Sequence, residues 1–398
     1  MEGKSEYDTR DYDTKGEYGP NTKLLQIPFD KIGLLVSNNL SITDIPEQLR
    51  GRVRKVYIEQ MEKMKRNVSN SEEWLKFMLL PTILFGQYND KISTKASMKR
   101  ALSRLQRGDW SFTLGEFKKK REITTELSKV KAREVLYKKA MVCAQKGEIS
   151  RAMSIITSTA SLVQPSQKVV DELQQKFPHN NQYMFDQEEI ESFTSYVLPD
   201  NCRKEVKPQV LRQIINSLRH LIRPAHDGLR YEHLQQIIGS GQQTNMDEIK
   251  VTKLLAEIIE FILNDEAPRE YMNALADIEL IPLLKENGDL RPIGMNYTIR
   301  KLTSLVMFKI VRTREAKGEK NFLESHFPPL QTALEKIGTE KVAYAMALDF
   351  DIHPERDKFA IDGMNSFNTV SRTQALINIR KEIPTILASF CEGYVWSL

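Results

Sequence analysis

The sequence predicts an α+β protein, with a mostly helical N-terminal region followed by a smaller part in which a β-hairpin and a further strand are set among helices. Three observations carry this reading. Apolar residues recur at three- and four-residue steps from Pro46 onward, the spacing of a helix with one buried face. Two short apolar runs flank the turn cluster Glu286-Asn287-Gly288-Asp289, which is a hairpin signal. Finally, "KFAIDGM" (Lys358 to Met364) reads as a short strand that ends at a carboxylate, Asp362. At 398 residues and 40% hydrophobic content, the chain can fill the cores of two or three domains.

Residues 1–22 are polar, charged and closed by Gly19-Pro20, which predicts a disordered tail. Residues 23–180 form the expected helical region. One helix starts near Pro46 and buries Leu49, Val53, Val56, Ile58 and Met61. The next, "SEEWLKFMLLPTILFG", takes Ser71 as N-cap and is expected to break at Pro81, where proline removes a backbone donor. "KGEISRAMSIITSTASLVQPSQKVVDELQQKFP" reads as two helices joined at Val163-Gln164-Pro165, the second capped by Ser166 and stopped before Pro178. The polar stretch Pro178 to Tyr183 is the predicted boundary.

Beyond it, helices are expected near Lys207–His220, Leu229–Ile238 and Asp247–Asn264. The hairpin strands are Ile278–Leu284 and Leu290–Met295, with Gly288 free to take a positive φ. A helix from Tyr297 to about Arg314 and a helical "TEKVAYAMAL" come before the Asp362 strand, and helices resume from Ser371.

No stretch approaches the ~18 apolar residues that a membrane span requires. The N-terminal "MEGKSEYDTRDYDTKGEYGP" lacks the apolar core of a signal peptide. Cys143, Cys202 and Cys391 lie too far apart for a disulfide framework or a zinc knuckle. The expectation is an intracellular protein, nuclear or cytoplasmic, neither secreted nor in a membrane.

The net charge is +5, but it is unevenly spread. Between Lys95 and Lys139 fourteen Lys and Arg stand against five Asp and Glu, so the remainder is slightly acidic. Within that block Lys118, Lys119, Lys120 and Arg121 run consecutively and suit nucleic-acid phosphates. The block equally suits a solvated helix face, with Glu122, Glu126 and Glu134 as helical partners.

The sequence contains no Walker-type phosphate loop, HExxH, CxxC or Gly-x-Ser-x-Gly elbow, and its six histidines are scattered. Two segments remain as candidate sites. In the hairpin, Lys285 and Arg291 are brought close by the antiparallel turn and could converge on a polyanion such as a triphosphate, or simply flank an exposed turn. Asp362, at a strand end, suits Mg²⁺, although a structural turn residue fits the same spacing. Asp349, Asp351 and Asp357 read as loop acids before that strand.

Taken in order, "HDGLRYEHLQQII" (His226 to Ile238), "LIPLLKENGDLRPIGMNYTIRKLTSLVM" (Leu280 to Met307) and "FAIDGMNSFNTVSR" resemble the fingers and first palm motifs of reverse transcriptases. The likeness is to the RNA-directed DNA polymerases of non-LTR, LINE-like retroelements, and it spans about residues 70–398. The resemblance implies that residues 181–398 are a partial reverse transcriptase domain, the fingers and an incomplete palm. It implies Asp362 as the first catalytic, Mg²⁺-binding aspartate and Phe367 as the aromatic beneath the sugar of the incoming dNTP. It implies Lys285 and Arg291 as fingers cations on the triphosphate, with an RNA template and a DNA primer as partners. The sequence holds no Asp-Asp pair of the Tyr-x-Asp-Asp kind, and one carboxylate cannot assemble a two-metal site. This chain alone is therefore expected to be inactive. A nucleic-acid-binding helical protein without catalysis is the alternative.

Overall fold

The computed structural model describes residues 18–37, 39–119, 129–145, 147, 149–157, 161–163, 166–176, 203–220, 222–224, 226–239, 245–285, 288–314, 338–356, 374–375 and 377–379. Among these, the helices are α1 (Phe29–Val36), α2 (Glu47–Arg66), α3 (Ser71–Phe85), α4 (Thr94–Gln106), α5 (Lys129–Gln145), α6 (Ile149–Thr157), α7 (Gln167–Lys176), α8 (Pro208–Ser217), α9 (Tyr231–Ile238), α10 (Met246–Leu263), α11 (Arg269–Ala276), α12 (Thr298–Arg314) and α13 (Gly338–Ile352). A small antiparallel sheet, in the order β1 (Ser161–Leu162), β2 (Ile278–Leu284) and β3 (Leu290–Asn296), completes an α+β fold that is mostly helical. No helix among the described residues is long and apolar enough to cross a membrane.

The central element is α2. Its periodic apolar residues Leu49, Val53, Val56, Met61 and Met64 are all buried. Around it pack α3, α4, α9 and α10, so an interior helix meets neighbours on several sides. The core runs from Leu24 through Phe117 and continues from Val206 to Met307 as one cluster. Residues from both sides of the expected boundary near residue 180 thus share it, while the boundary stretch itself lies outside the described residues. The α5–α6 hairpin is apart, closing on its own small cluster of Ala140, Cys143 and Ala152.

Three local expectations are corrected. Helix α3 continues through Pro81 to Phe85 rather than breaking. The proline forfeits one backbone bond, but the whole turn is buried, with Leu79, Leu80, Ile83, Leu84 and Phe85 all in the core, and packing outweighs the lost donor. The N-cap of α3 is Asn70, whose side chain accepts from Glu72 N, and Ser71 is the first helical residue. Asp349 and Asp351 lie in α13 rather than in a loop.

The hairpin forms as expected and is in register from Ile278↔Asn296 to Leu284↔Leu290. Gly288 takes φ 82° in its turn and donates to Lys285 O at 3.0 Å. Lys285 N donates to Asp289 O at 2.8 Å, which makes odd-numbered residues the ladder-bonded positions. Pro282 and Pro292 face one another at the non-bonded positions between them, where a missing N–H costs the ladder nothing. Pro282 turns its carbonyl to the other side and accepts from Val163 N at 3.2 Å, which is how β1 joins the sheet.

Candidate nucleotide and nucleic-acid interface

Because cross-strand partners and residues two apart share a face, Lys285, Asp289, Leu283 and Arg291 all stand on one side of the hairpin. Lys285 and Arg291, the two cations predicted from the sequence, are therefore diagonal neighbours. Lys285 Nζ contacts Asp289 Oδ2 at 3.0 Å. The other carboxylate oxygen, Oδ1, receives Lys176 Nζ from α7 at 2.6 Å. These two ammonium groups hold the Asp289 carboxyl down at about 2. Helix α7 is fixed over the hairpin tip by a second contact, since Glu172, one turn before Lys176, accepts from Leu290 N at 3.3 Å. Arg291 is exposed and makes no ion pair among the described residues.

At the far end of β3, about 17 Å from Arg291 by strand rise, lies a cavity of about 180 Å³. Arg223, Arg230, Tyr231, Gly294, Asn296 and Lys301 are among its walls. Arg223 is already paired with Glu279 at 2.7 Å. Arg230 bonds Ile222 O at 3.4 Å through Nη1, and its buried Nε has no hydrogen-bond partner among the described residues. Burial pulls the Arg230 pKa down, against the charges of Glu232 and Asp44. Lys301 is exposed. Two cations and a tyrosine ring around a cleft of this size suit a phosphate with an adjoining planar group.

A strongly braced loop presents Arg230 and Tyr231 to that cavity. Gly228 has φ 77°, with Ser41 Cβ only 3.1 Å from where a side chain would begin. Asp227 Oδ1 accepts from Leu229 N at 3.1 Å, Thr82 Oγ1 donates to Asp227 O at 3.3 Å, and Thr298 Oγ1 donates to Leu229 O at 2.7 Å. His233 Nδ1 accepts from Arg230 N at 3.2 Å while its ring lies against Phe85, the centroids 4.0 Å apart. Burial lifts the Asp227 carboxyl to about 7, with the backbone bond from Leu229 opposing. Burial, joined by the Arg230 charge, lowers the His233 imidazole to about 3, against the nearby Ile42 and Thr43 carbonyls. The interior thus favours the neutral form of both groups.

The remaining predicted residues fall differently. Lys118 is exposed. Lys119 is a brace, its Nζ donating to Asn39 Oδ1 at 2.7 Å and Leu35 O at 3.1 Å, with burial lowering its pKa. Lys120, Arg121, Asp362 and Phe367 lie outside the described residues. Among the described residues no group of three His, Cys, Asp or Glu side chains converges to hold a metal ion. Sequence reasoning missed Lys176, Arg223, Arg230 and Lys301, because each reads as an ordinary surface cation until the fold brings it to the hairpin or the cavity.

Comparison with family models, curated proteins and solved structures finds no match for this chain.

Proposed function

We propose that the chain carries the fingers and the start of the palm of a retroelement reverse transcriptase, in which the β2–β3 hairpin holds the triphosphate of an incoming dNTP. The observation that carries this reading is that Lys285 and Arg291 are both exposed and stand on one face of a register-true hairpin. Two cations so placed suit a polyphosphate better than a single carboxylate, because its charge is larger and spread over several oxygens. In such a polymerase the primer 3′-OH would attack the α-phosphate as the bond to the leaving pyrophosphate breaks, its proton passing to solvent, and Asp362 would supply one of the carboxylates that hold Mg²⁺. The other carboxylates that a two-metal centre needs do not occur here as an Asp-Asp pair.

Accordingly, primer-extension assays with an RNA template and a DNA primer are expected to give no product from this chain alone. Template-dependent synthesis that is lost in Asp362→Ala would overturn that. Binding of dNTP, followed by fluorescence, should weaken about tenfold in the Lys285→Met/Arg291→Met double variant.

A second reading, a nucleic-acid-binding protein without catalysis, is favoured by the cavity with Arg230 and Lys301. It expects RNA affinity whose logarithm falls linearly with the logarithm of salt concentration, the slope becoming shallower by about one in Lys301→Met. Salt-independent binding would reject it.

A further inference from the structure

Asp289 is the centre of a charge arrangement that the triphosphate reading does not use. One carboxylate is gripped at both oxygens by ammonium groups, Lys176 from a remote part of the chain at 2.6 Å and Lys285 from the same turn at 3.0 Å. Arg291 stands on the same hairpin face without an ion pair among the described residues. Three cations therefore gather at the hairpin tip against two carboxylates, Asp289 and the Glu172 that accepts from Leu290 N, so that positive charge is in excess among the described residues. Lys176 is the most enclosed of them, its side chain 12% exposed, whereas Lys285 is 47% exposed.

We propose that Asp289 is an internal counter-ion occupying the anion position of a three-cation polyphosphate site, and that Lys176 of α7 is the site's third binding residue. This rests on the triphosphate reading of the hairpin and deepens it. A carboxylate brings one negative charge, and a polyphosphate brings several. The ligand therefore displaces Asp289 from Lys285 first, the more exposed partner, and then shares Lys176. Asp289 in this way sets a threshold: singly charged anions do not compete with it, and chains of phosphates do. The position of Lys176 on α7 also makes the site dependent on that helix staying docked, which Glu172 secures through Leu290 N.

The test uses the full chain and inorganic tripolyphosphate, with binding measured by titration calorimetry in low salt. Asp289→Asn keeps the shape and removes the charge, and it is expected to tighten tripolyphosphate binding about fivefold, the size of effect a partly exposed ion pair supports. Lys176→Met is expected to weaken binding about fivefold, and Lys253→Met, far from the hairpin on α10, to leave it unchanged. Far-UV circular dichroism checks that each variant keeps its helices. Equal or weaker binding by Asp289→Asn, or wild-type binding by Lys176→Met, overturns the proposal, as does an absence of tripolyphosphate binding by the wild-type chain. The polymerase reading is tested separately. If tripolyphosphate behaves as described but dNTP does not bind, that reading fails and the anion site stands. If dNTP binding depends on Lys285 and Arg291 while Asp289→Asn has no effect, the reading stands and this inference fails.

Discussion

Replacing Asp227 by Asn is expected to make the chain's stability depend steeply on pH where the wild-type chain shows little dependence. The Asp227 carboxyl, buried and titrating at about 7 in the fold, starts from 3.8 in an unfolded chain. The fold thus keeps a proton that the unfolded chain releases. Its contribution is fully present below pH 3.8 and is lost as pH rises through 7, a change of about 4 kcal/mol. His233 acts with the opposite sign. Its imidazole starts from 6.5 and falls to about 3 in the fold, so its contribution is present above 6.5 and is lost as pH drops toward 3. That change is about 5 kcal/mol. Over the shared window, roughly pH 4 to 6.5, the two slopes cancel. Asp227→Asn removes one of them and keeps an acceptor for Leu229 N, so stability should climb by several kcal/mol from pH 4 to 7. Urea unfolding at pH 4, 5.5, 7 and 8 measures this. Parallel wild-type and variant curves would show that burial does not shift Asp227.

The second large effect is expected at Arg54. Its guanidinium, almost fully buried in α2, donates to Ile237 O at 2.7 Å and to Glu248 Oε1 at 2.8 Å. It thereby joins the end of α9 to the start of α10. Glu248 belongs to the capping box of α10 with Asn245, and Gly239, at φ 74°, leaves the space its carboxylate fills. Arg54→Met strands that carboxylate, 13% exposed, together with a carbonyl, and should cost about 3–5 kcal/mol. Adding Glu248→Gln removes the stranded charge and keeps the cap, so the double variant should recover about 2 kcal/mol of the loss. A double-mutant cycle by chemical denaturation reads both figures. A loss below about 1 kcal/mol for Arg54→Met would mean that solvent reaches the pair.

The parts of the fold legible in the sequence are those written in local pattern. The spacing of Leu49, Val53 and Val56 marks α2, and the cluster around Gly288 marks the hairpin within a residue of its observed strands. What escaped depends on partners remote in the chain. Ser161–Leu162 is too short to show a period and is a strand only because Val163 reaches Pro282. Pro81 stays in its helix because tertiary packing overrides a local rule. At the candidate site, Lys285 and Arg291 were visible because one turn joins them. Lys176 lies 113 residues from Asp289, and no short-range signal connects the two. Nothing local marks Asp227 as buried, since His-Asp-Gly is turn chemistry whether it faces water or a core.

The shared core has a consequence for how this chain could be inherited or cut. Helix α2 is walled on one side by α3 and α4, and on the other by α9 and α10, which come from beyond residue 203. A piece holding residues 203–314 alone would present the vacated bed of α2 to water, and one holding 18–119 alone would present α2 itself. Neither is a module that recombination could move by itself. The two pieces, made separately, should instead find each other and refold as a pair.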